Sequence, residues 1–500
     1  MRSPGSRAFS RVKHRSSRLV APSPARPRIT ESCLRSVPPR PPDRGDRLRP
    51  RRAESPGSLA PLAILLASYN PGRVSTPSER AWALFPAGSP GEYNLPRELT
   101  VVLSRGQGAT VWDTDGRAFT DFTMGWGSVI LGHAHPAIVE AVRRRVALGS
   151  NFAYLTDASL ELAEELARAV PCAERLRFCA SGTEATAYAV RLARAYTGRS
   201  HVLKFEGAYH GANEVGTVSL FPRRLLAFPQ GEPTSAGVPA SAVADVLVAP
   251  YNDLRGTTAI LTAHRHDVAA VIVEPLHRCT PPQPGFLAGL RELAAELGVL
   301  LIFDETVTGF RLAYGGAQEY YGVRPDLATF GKALGGGYPI GVVAGRADVL
   351  DLVSEDRLGE DRYVWFASSV GGNPVSATAA LATLAELRRP GTYRHLFELG
   401  ESLRAGLVSV LMEEGFTAQV QGDGPLAAIV FTDHEIVDYR TAFDSDRPRA
   451  RAFLLGLFRR GIFLNPMSTK LYLSLAHTDE DIRRFLAVAR TTLRDDCRDR

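Results

Sequence analysis

Four short runs of almost unbroken apolar residues, "HVLKFE" (201–206), "AAVIVEP" (269–275), "VLLIFDE" (299–305) and "LATFG" (327–331), limit this chain more than any other feature. A strand with one wet face alternates apolar and polar residues, whereas a run without alternation has both faces covered, as in a parallel sheet between helices. Helical apolar spacing in "HPAIVEAVRRRVALG", "SLELAEELARAV", "TEATAYAVRLARAYTG" and "FLAGLRELAAELG" supplies the covering layers, and Gly198 reads as the stop of the third. Residues 132–375 therefore read as an α/β domain with a mainly parallel sheet and crossover helices, followed by the helix "NPVSATAALATLAELRRPG". The flanking pieces, 76–131 and 376–500, read together as a smaller α+β domain. The first has a helix capped by Thr76 with Pro77 and Glu79, a strand at "LTVVL" and a hairpin turning at Asp115 and Gly116; the second has strands "AAIVF" and "KLYLSLAH".

The charge is unevenly placed. Residues 1–55 carry 15 Lys/Arg and 4 acids, a net of +11 in a chain whose total is +6, which leaves the remainder at −5. The basic segment is rich in Pro, Ser and Arg and has no apolar periodicity, so residues 1–75 are expected to be a disordered extension. An organelle-targeting segment and a nucleic-acid arm are the other readings of it, but basic residues without interleaved aromatics are a poor nucleic-acid signal, and no nucleic-acid partner is expected. "LAPLAILLA", Leu59 to Ala67, is too short to span a bilayer, so no membrane association is expected either. Cys33, Cys172, Cys179, Cys279 and Cys497 are odd in number and lack CxxC spacing, which fits a cytoplasmic protein with reduced thiols and no zinc site.

Only four lysines occur, Lys13, Lys204, Lys332 and Lys470, among 59 Lys/Arg residues. Where charge alone serves, this chain uses arginine. Lys332 closes an apolar run and precedes "ALGGGYPIG", a poor setting for a solvated charge. A primary amine, unlike a guanidinium, loses its proton when desolvated and attacks carbonyl carbon to form a Schiff base.

Three further motifs fall at strand-to-helix junctions of the same region. "ASGTEAT", Ala180 to Thr186, opens a helix with Ser181, Gly182 and Thr183, whose free amides and hydroxyls suit a phosphate, although no Walker loop and no dinucleotide GxGxxG is present. "FEGAYHG" places Tyr209 and His210 at a strand end, where an aromatic ring stacks on a flat ligand or simply packs. "LLIFDETVTGF" ends an apolar strand with Asp304, a carboxylate that needs a cationic partner, a part that a protonated ring nitrogen plays well. A phosphate cradle, a ring stacker, an anion for a ring nitrogen and an amine, in chain order, are the set that pyridoxal 5'-phosphate requires.

With "ILGHAHP", "RFCASGTEAT", "LKFEGAYHG", "APYNDL", "VIVEPL", "LLIFDETVTGFRLAYGGAQEYYGVRPDL", "GKALGGGYPIG" and "SLAHTDEDI", the chain resembles the class III pyridoxal-phosphate-dependent aminotransferases of fold type I, and among them the glutamate-1-semialdehyde 2,1-aminomutase group. The resemblance runs from about Ser78 to Arg490 and implies a homodimeric enzyme with Lys332 as the catalytic amine. It implies a cofactor-binding set of Ser181, Gly182, Thr183, Tyr209, Asp304, Thr306 and Lys332, with Ser369 of "SSVGGNP" reaching the phosphate of the neighbouring subunit. The departures cluster in the substrate pocket. "SPGEYNLP" puts Glu92 where the aminomutases carry a substrate-anchoring arginine, "LHRCTP" (276–281) replaces a longer loop, and "MSTKLY" (467–472) replaces an acidic stretch. Amino transfer between small-molecule amines and carbonyl compounds is therefore the leading expectation. Intramolecular amino exchange on glutamate-1-semialdehyde comes second, racemase or decarboxylase chemistry third, and a non-catalytic vitamin B6 sensor is the reading outside enzymes. Arg278, Lys470 and Arg311 are candidates for a carboxylate anchor placed elsewhere, against the plain alternative of surface charges.

Overall fold

The computed structural model describes residues 75–498, so the expectation for the basic extension, residues 1–75, lies outside the described residues apart from its last position. The helix Pro77–Leu84 starts as expected, with the Thr76 side chain and Glu79 closing a capping box. Strands β1 (Leu103–Gln107), β2 (Thr110–Asp113) and β3 (Ala118–Asp121) form an antiparallel meander. Its hairpin is tied by Asp113 Oδ1, which accepts from the amides of Asp115 (3.0 Å) and Arg117 (2.9 Å). The strand expected at "LTVVL" is not there. Leu99 ends a 3-10 turn, Leu99 and Val101 pack as irregular chain against Val111, Phe119, Phe458 and Phe463, and β1 begins only at Leu103. The apolar run is covered by side chains rather than by a sheet.

The central sheet holds β4 (Arg175–Cys179), β5 (His201–Phe205), β6 (Val246–Ala249), β7 (Val268–Val273), β8 (Leu300–Asp304), β9 (Leu327–Phe330) and β10 (Gly341–Gly345), in the order β4-β10-β9-β8-β7-β5-β6. Strands β5 to β9 are mutually parallel, and β10 runs antiparallel between β9 and β4. Every residue of β6 to β10 is buried, as continuous apolar runs require. Two of these strands, β6 and β10, were not among the expected runs. In β10, "GVVAG", a Cβ on Gly341 would lie 2.3 Å from the Ser181 carbonyl oxygen and one on Gly345 2.3 Å from that of Asp326. Close backbone approach demands the two glycines, and glycines at both ends make the segment read as a loop.

The helices Pro136–Val146, Asp157–Ala169 and Pro374–Leu387 pack on one another over one face of this sheet. Farther along, β11 (Gln419–Gln421), β12 (Leu426–Val430) and β14 (Leu471–Tyr472) form a three-stranded antiparallel sheet, while β13 (Ile462–Phe463) runs parallel to β3 and joins the N-terminal meander. The "KLYLSLAH" strand is thus only two residues long. Ser474 N donates to His477 Nδ1 (3.0 Å), and His477 Nε2 bonds the Asp121 carbonyl (3.0 Å), closing a turn where the apolar pattern continues. Among the described residues no helix is long and apolar enough to cross a membrane, and no cluster of His, Cys, Asp and Glu could hold a metal ion.

Strand β5 carries Lys204 in a fully buried position, where burial, aided by Arg278, pushes its pKa down to about 7. Its ammonium donates to the carbonyls of Ala208 (3.0 Å), Gly216 (3.2 Å) and Val218 (2.5 Å), pinning the loop after β5 from within. Lys204 is therefore a structural lysine. Lys204→Met leaves three buried carbonyls without donors and is expected to destabilise the protein by about 3 kcal/mol or more, read from the midpoint of denaturant unfolding. A change below about 1 kcal/mol would remove this assignment.

Candidate active site

The C-terminal ends of β5, β8 and β9 and the turn after β4 meet at one edge of the central sheet. After β4, Ser181 caps the helix Gly182–Thr197 by accepting from Glu184 N (3.2 Å). The amides of Gly182 and Thr183 belong to the first turn, which has no acceptors within its own helix, so they and the positive end of the helix dipole face an anion. A Cβ on Gly182 would stand 2.7 Å from Thr306 Cγ2, and one on Gly211 would stand 2.8 Å from Thr183 Oγ1. Glycine at these points lets the turns after β4, β5 and β8 close on one another and leaves a cradle lined by Ser181, Gly182, Thr183 and Thr306.

Asp304 ends β8 with only 5% of its surface exposed. Its Oδ1 accepts from Thr306 N (3.1 Å), Thr306 Oγ1 (2.6 Å) and Thr329 Oγ1 (3.1 Å), and its Oδ2 pairs with His210 Nδ1 at 2.8 Å. Sequence reasoning found no protein partner for this carboxylate. The partner is His210, 94 positions away in the chain, which no local pattern connects to Asp304. Since an ionised carboxylate has no proton to give, Nδ1–H donates to it, while His210 Nε2 is buried without a hydrogen-bond partner. Oδ2 has taken one donor, and a protonated ring nitrogen suits its remaining lone pair.

Lys332 follows β9 with a left-handed backbone, φ 40°, at the start of the 3-10 turn Lys332–Gly335. A non-glycine residue in that region is strained by roughly 1 kcal/mol or more, held in place by the packed sheet edge. Burial pushes its pKa down to about 8, Asp304 works in the opposite direction, and Lys470 lowers it further. Tyr209 stands beside these groups with 41% of its surface exposed; its amide donates to Glu274 Oε1 (2.7 Å), and its ring stacks on no other aromatic ring among the described residues. Burial raises its phenol pKa, and the charge of Glu92 raises it further. Glu92 thus lies within electrostatic reach of the site although its side chain is solvent-exposed; its carbonyl is held by Asn465 Nδ2 (2.8 Å).

The sequence-predicted set divides cleanly. Ser181, Gly182, Thr183, Tyr209, Asp304, Thr306 and Lys332 come together, whereas Ser369 is exposed, with its carbonyl accepting from Asn151 Nδ2 (3.0 Å). Two residues that received no role from the sequence also belong to the site. Glu274 is buried, and although burial raises its pKa, the neighbouring cations, Arg278 foremost, bring it down to about 2. His210 is the other, visible only as the residue after Tyr209. Arg311 is neither a surface charge nor a free anchor. It is 1% exposed and donates to the carbonyls of Val307 (3.2 Å), Leu473 (3.3 Å) and Gly127.

Residues 93–491 match the family model described as Aminotransferase class-III. The chain is 41% identical over 429 residues to a glutamate-1-semialdehyde 2,1-aminomutase of Desulfitobacterium hafniense, a match covering 83% of this chain and 98% of the relative. Its structure is similar to that of an omega-transaminase from Sphaerobacter thermophilus, with a TM-score of 0.78 and 36% identity over 88% of this chain and 98% of the other. A beta-phenylalanine aminotransferase from Variovorax paradoxus is similar with a TM-score of 0.74 and 32% identity, over 83% and 92% of the two chains.

Proposed function

Because this chain belongs to the class III aminotransferases, enzymes that use pyridoxal phosphate, we propose that it transfers an amino group between an amine or amino-acid donor and a carbonyl acceptor, with Lys332 as its catalytic amine. The observation that carries the reading is the meeting of Lys332, with its pKa lowered to about 8, and the buried Asp304 beside the open first turn of the helix Gly182–Thr197. When bound, pyridoxal phosphate supplies an aldehyde for the amino group and a ring that spreads the electron pair left at the substrate carbon. Ser181, Gly182, Thr183 and Thr306 would hold its phosphate, and Tyr209 would be the aromatic partner of its ring. Asp304, oriented by His210, Thr306 and Thr329, keeps the ring nitrogen protonated. With the group bound, the Lys332 amine would hold its aldehyde and, once displaced by a substrate amine, would be the base that takes a proton from the substrate carbon.

Intramolecular exchange on glutamate-1-semialdehyde is the second reading, favoured by the 41% identity to an aminomutase. Glu92, whose charge reaches Tyr209, argues against it by repelling a carboxylate on that side. The proposed division into a cofactor-holding part, 132–375, and a smaller part made of 76–131 and 376–500 is supported by the pairing of β13 with β3. A cytoplasmic location is supported by the buried free thiols of Cys172, Cys179, Cys279 and Cys497.

Borohydride reduction of the yellow holoenzyme is expected to fix the cofactor on Lys332, and Lys332→Ala should keep cofactor without a covalent link while losing turnover. Donor amines should bleach the wild-type holoenzyme's visible band in a half-reaction. A reduced label on Lys204, or a band that no amine discharges, would overturn the reading.

A homodimer is proposed on a separate observation. Ser369 lies among exposed apolar side chains, with Trp365 65% and Val370 43% exposed, and its bond to Asn151 joins this segment to exposed Phe152, Tyr154 and Leu155. In a dimer that covers this surface, Ser369 supplies a hydroxyl to the neighbour's phosphate. Ser369→Ala should then weaken cofactor retention by about 1 kcal/mol, or up to about 3 if the phosphate charge strengthens the bond. A fully active monomer in sedimentation analysis would contradict it.

A further inference from the structure

A cavity of about 470 Å3 opens where the segment 277–280, strand β12 and the stretch 466–470 face one another. Four cationic side chains line it, Arg278, Arg447, Arg451 and Lys470, against one carboxylate, Asp438. That carboxylate is engaged by the amide and hydroxyl of Thr441 (2.8 and 2.9 Å). Much of the remaining wall is apolar, including Ile429, Phe431 and Leu454. An excess of positive charge in a largely apolar cavity calls for an anion.

Two of the cations, Arg278 and Lys470, hold fewer acceptors than the other two. Arg451 gives its guanidinium to the carbonyls of Pro466 and Asn94, and Arg447 gives one N–H to the carbonyl of Phe443. Arg311, outside this cavity, shows what a structural arginine looks like here, with Nε, Nη1 and Nη2 each on a carbonyl. Arg278 has only Nε so placed, on the Gly207 carbonyl at 2.7 Å, while Nη2 is buried with no acceptor. Its guanidinium lies 4.7 Å from the Phe221 ring centroid, and its backbone is held at φ 62°, an uncommon conformation for arginine. Lys470, 5.3 Å from the Tyr472 ring centroid, has no ion pair among the described residues. Glu274 does not neutralise either cation by direct contact, because its oxygens accept from backbone amides, those of Tyr209 and of Arg278 itself. Arg278 ties this cavity to the loop that carries Tyr209, since Glu274 accepts from the amides of both residues (2.7 and 3.2 Å) and Arg278 Nε donates to the Gly207 carbonyl.

Building on the amino-transfer reading, we propose that Arg278 and Lys470 form the carboxylate-binding subsite of this enzyme, so that its amino substrate is an amino acid whose carboxylate is separated from the reacting amine by an apolar segment. The three departures noted in the sequence then form one change. Positive charge missing where Glu92 stands reappears in "LHRCTP" as Arg278 and in "MSTKLY" as Lys470. An arginine with free N–H groups and a nearby ammonium match a carboxylate's two oxygens, and the apolar wall matches a methylene chain or ring between carboxylate and amine.

The test uses the holoenzyme and two pairs of donors that differ only in the carboxylate, γ-aminobutyrate with propylamine and ε-aminocaproate with pentylamine. The expected result is a higher kcat/KM in the half-reaction for the carboxylate-bearing member of at least one pair. Arg278→Met and Lys470→Met should each lower that preference ratio by roughly tenfold or more, and Arg278→Lys, which keeps the charge, should retain part of it. Calorimetric binding of caproate, which has no amine, gives a second readout, expected in the wild type and weakened in Arg278→Met. A ratio unchanged in both methionine variants, or no caproate binding by the wild type, would overturn the subsite. Failure of every amine to discharge the cofactor while caproate still binds would count against the amino-transfer reading and not against the subsite.

Discussion

A carboxylate at the end of a wholly apolar strand organises this protein's working edge. Asp304 is nearly removed from water, and an unpaired charge there would cost several kcal/mol. Four hydrogen bonds offset that cost, and they come from different parts of the chain: His210 from the loop after β5, Thr329 from β9, and Thr306 from the turn after β8. Satisfying one carboxylate thereby fixes the relative positions of three strand ends. Thr306, held in this way, is the residue against which Gly182 packs, so the anion cradle is placed by the same network.

The cations of the interior and of the site fall into two kinds, which differ in both burial and partners. Lys204 and Arg311 are enclosed and fully supplied with carbonyl acceptors, which makes them cross-links of the fold. Lys332, Arg278 and Lys470 are only partly buried, and Arg278 keeps a guanidinium nitrogen that is buried without an acceptor. Desolvation lowers the pKa of Lys332 to about 8, which leaves a usable fraction of neutral amine near neutral pH. Lys470 experiences the same burial, yet Tyr472, Cys279 and Glu274 hold its pKa above the usual lysine value and keep it a cation. Two lysines of one site are thus tuned in opposite directions, one toward chemistry and one toward binding.

Much of this was legible from residue patterns, and the failures have physical causes. Strands β5, β7, β8 and β9 announced themselves through unbroken apolar runs because burial on both faces allows nothing else. Strand β10 was hidden by the glycines its close neighbours require, and "LTVVL" was misread because an apolar run can pack as irregular chain. The seven site residues that gather at the sheet edge were readable since each sits just after a strand end or at a helix start. Non-local pairings were not readable: nothing in the order of residues connects His210 to Asp304, or Arg278 in a short turn to Lys470 almost two hundred positions later. Exposure of Ser369 likewise appears only once the chain is folded.

The account rests on burial lowering the Lys332 pKa while Asp304 limits the fall, and the four lysines of the chain make this directly measurable. With lysine labelled at the ε position, the cofactor-free protein can be titrated by NMR and the Lys332 signal assigned from Lys332→Ala. Its midpoint should lie near 8, well below the ordinary lysine value of about 10.4, and should move lower still in Asp304→Asn, where the charge favouring the protonated amine is gone. A Lys332 that titrates like an exposed lysine and ignores the loss of Asp304 would contradict the account.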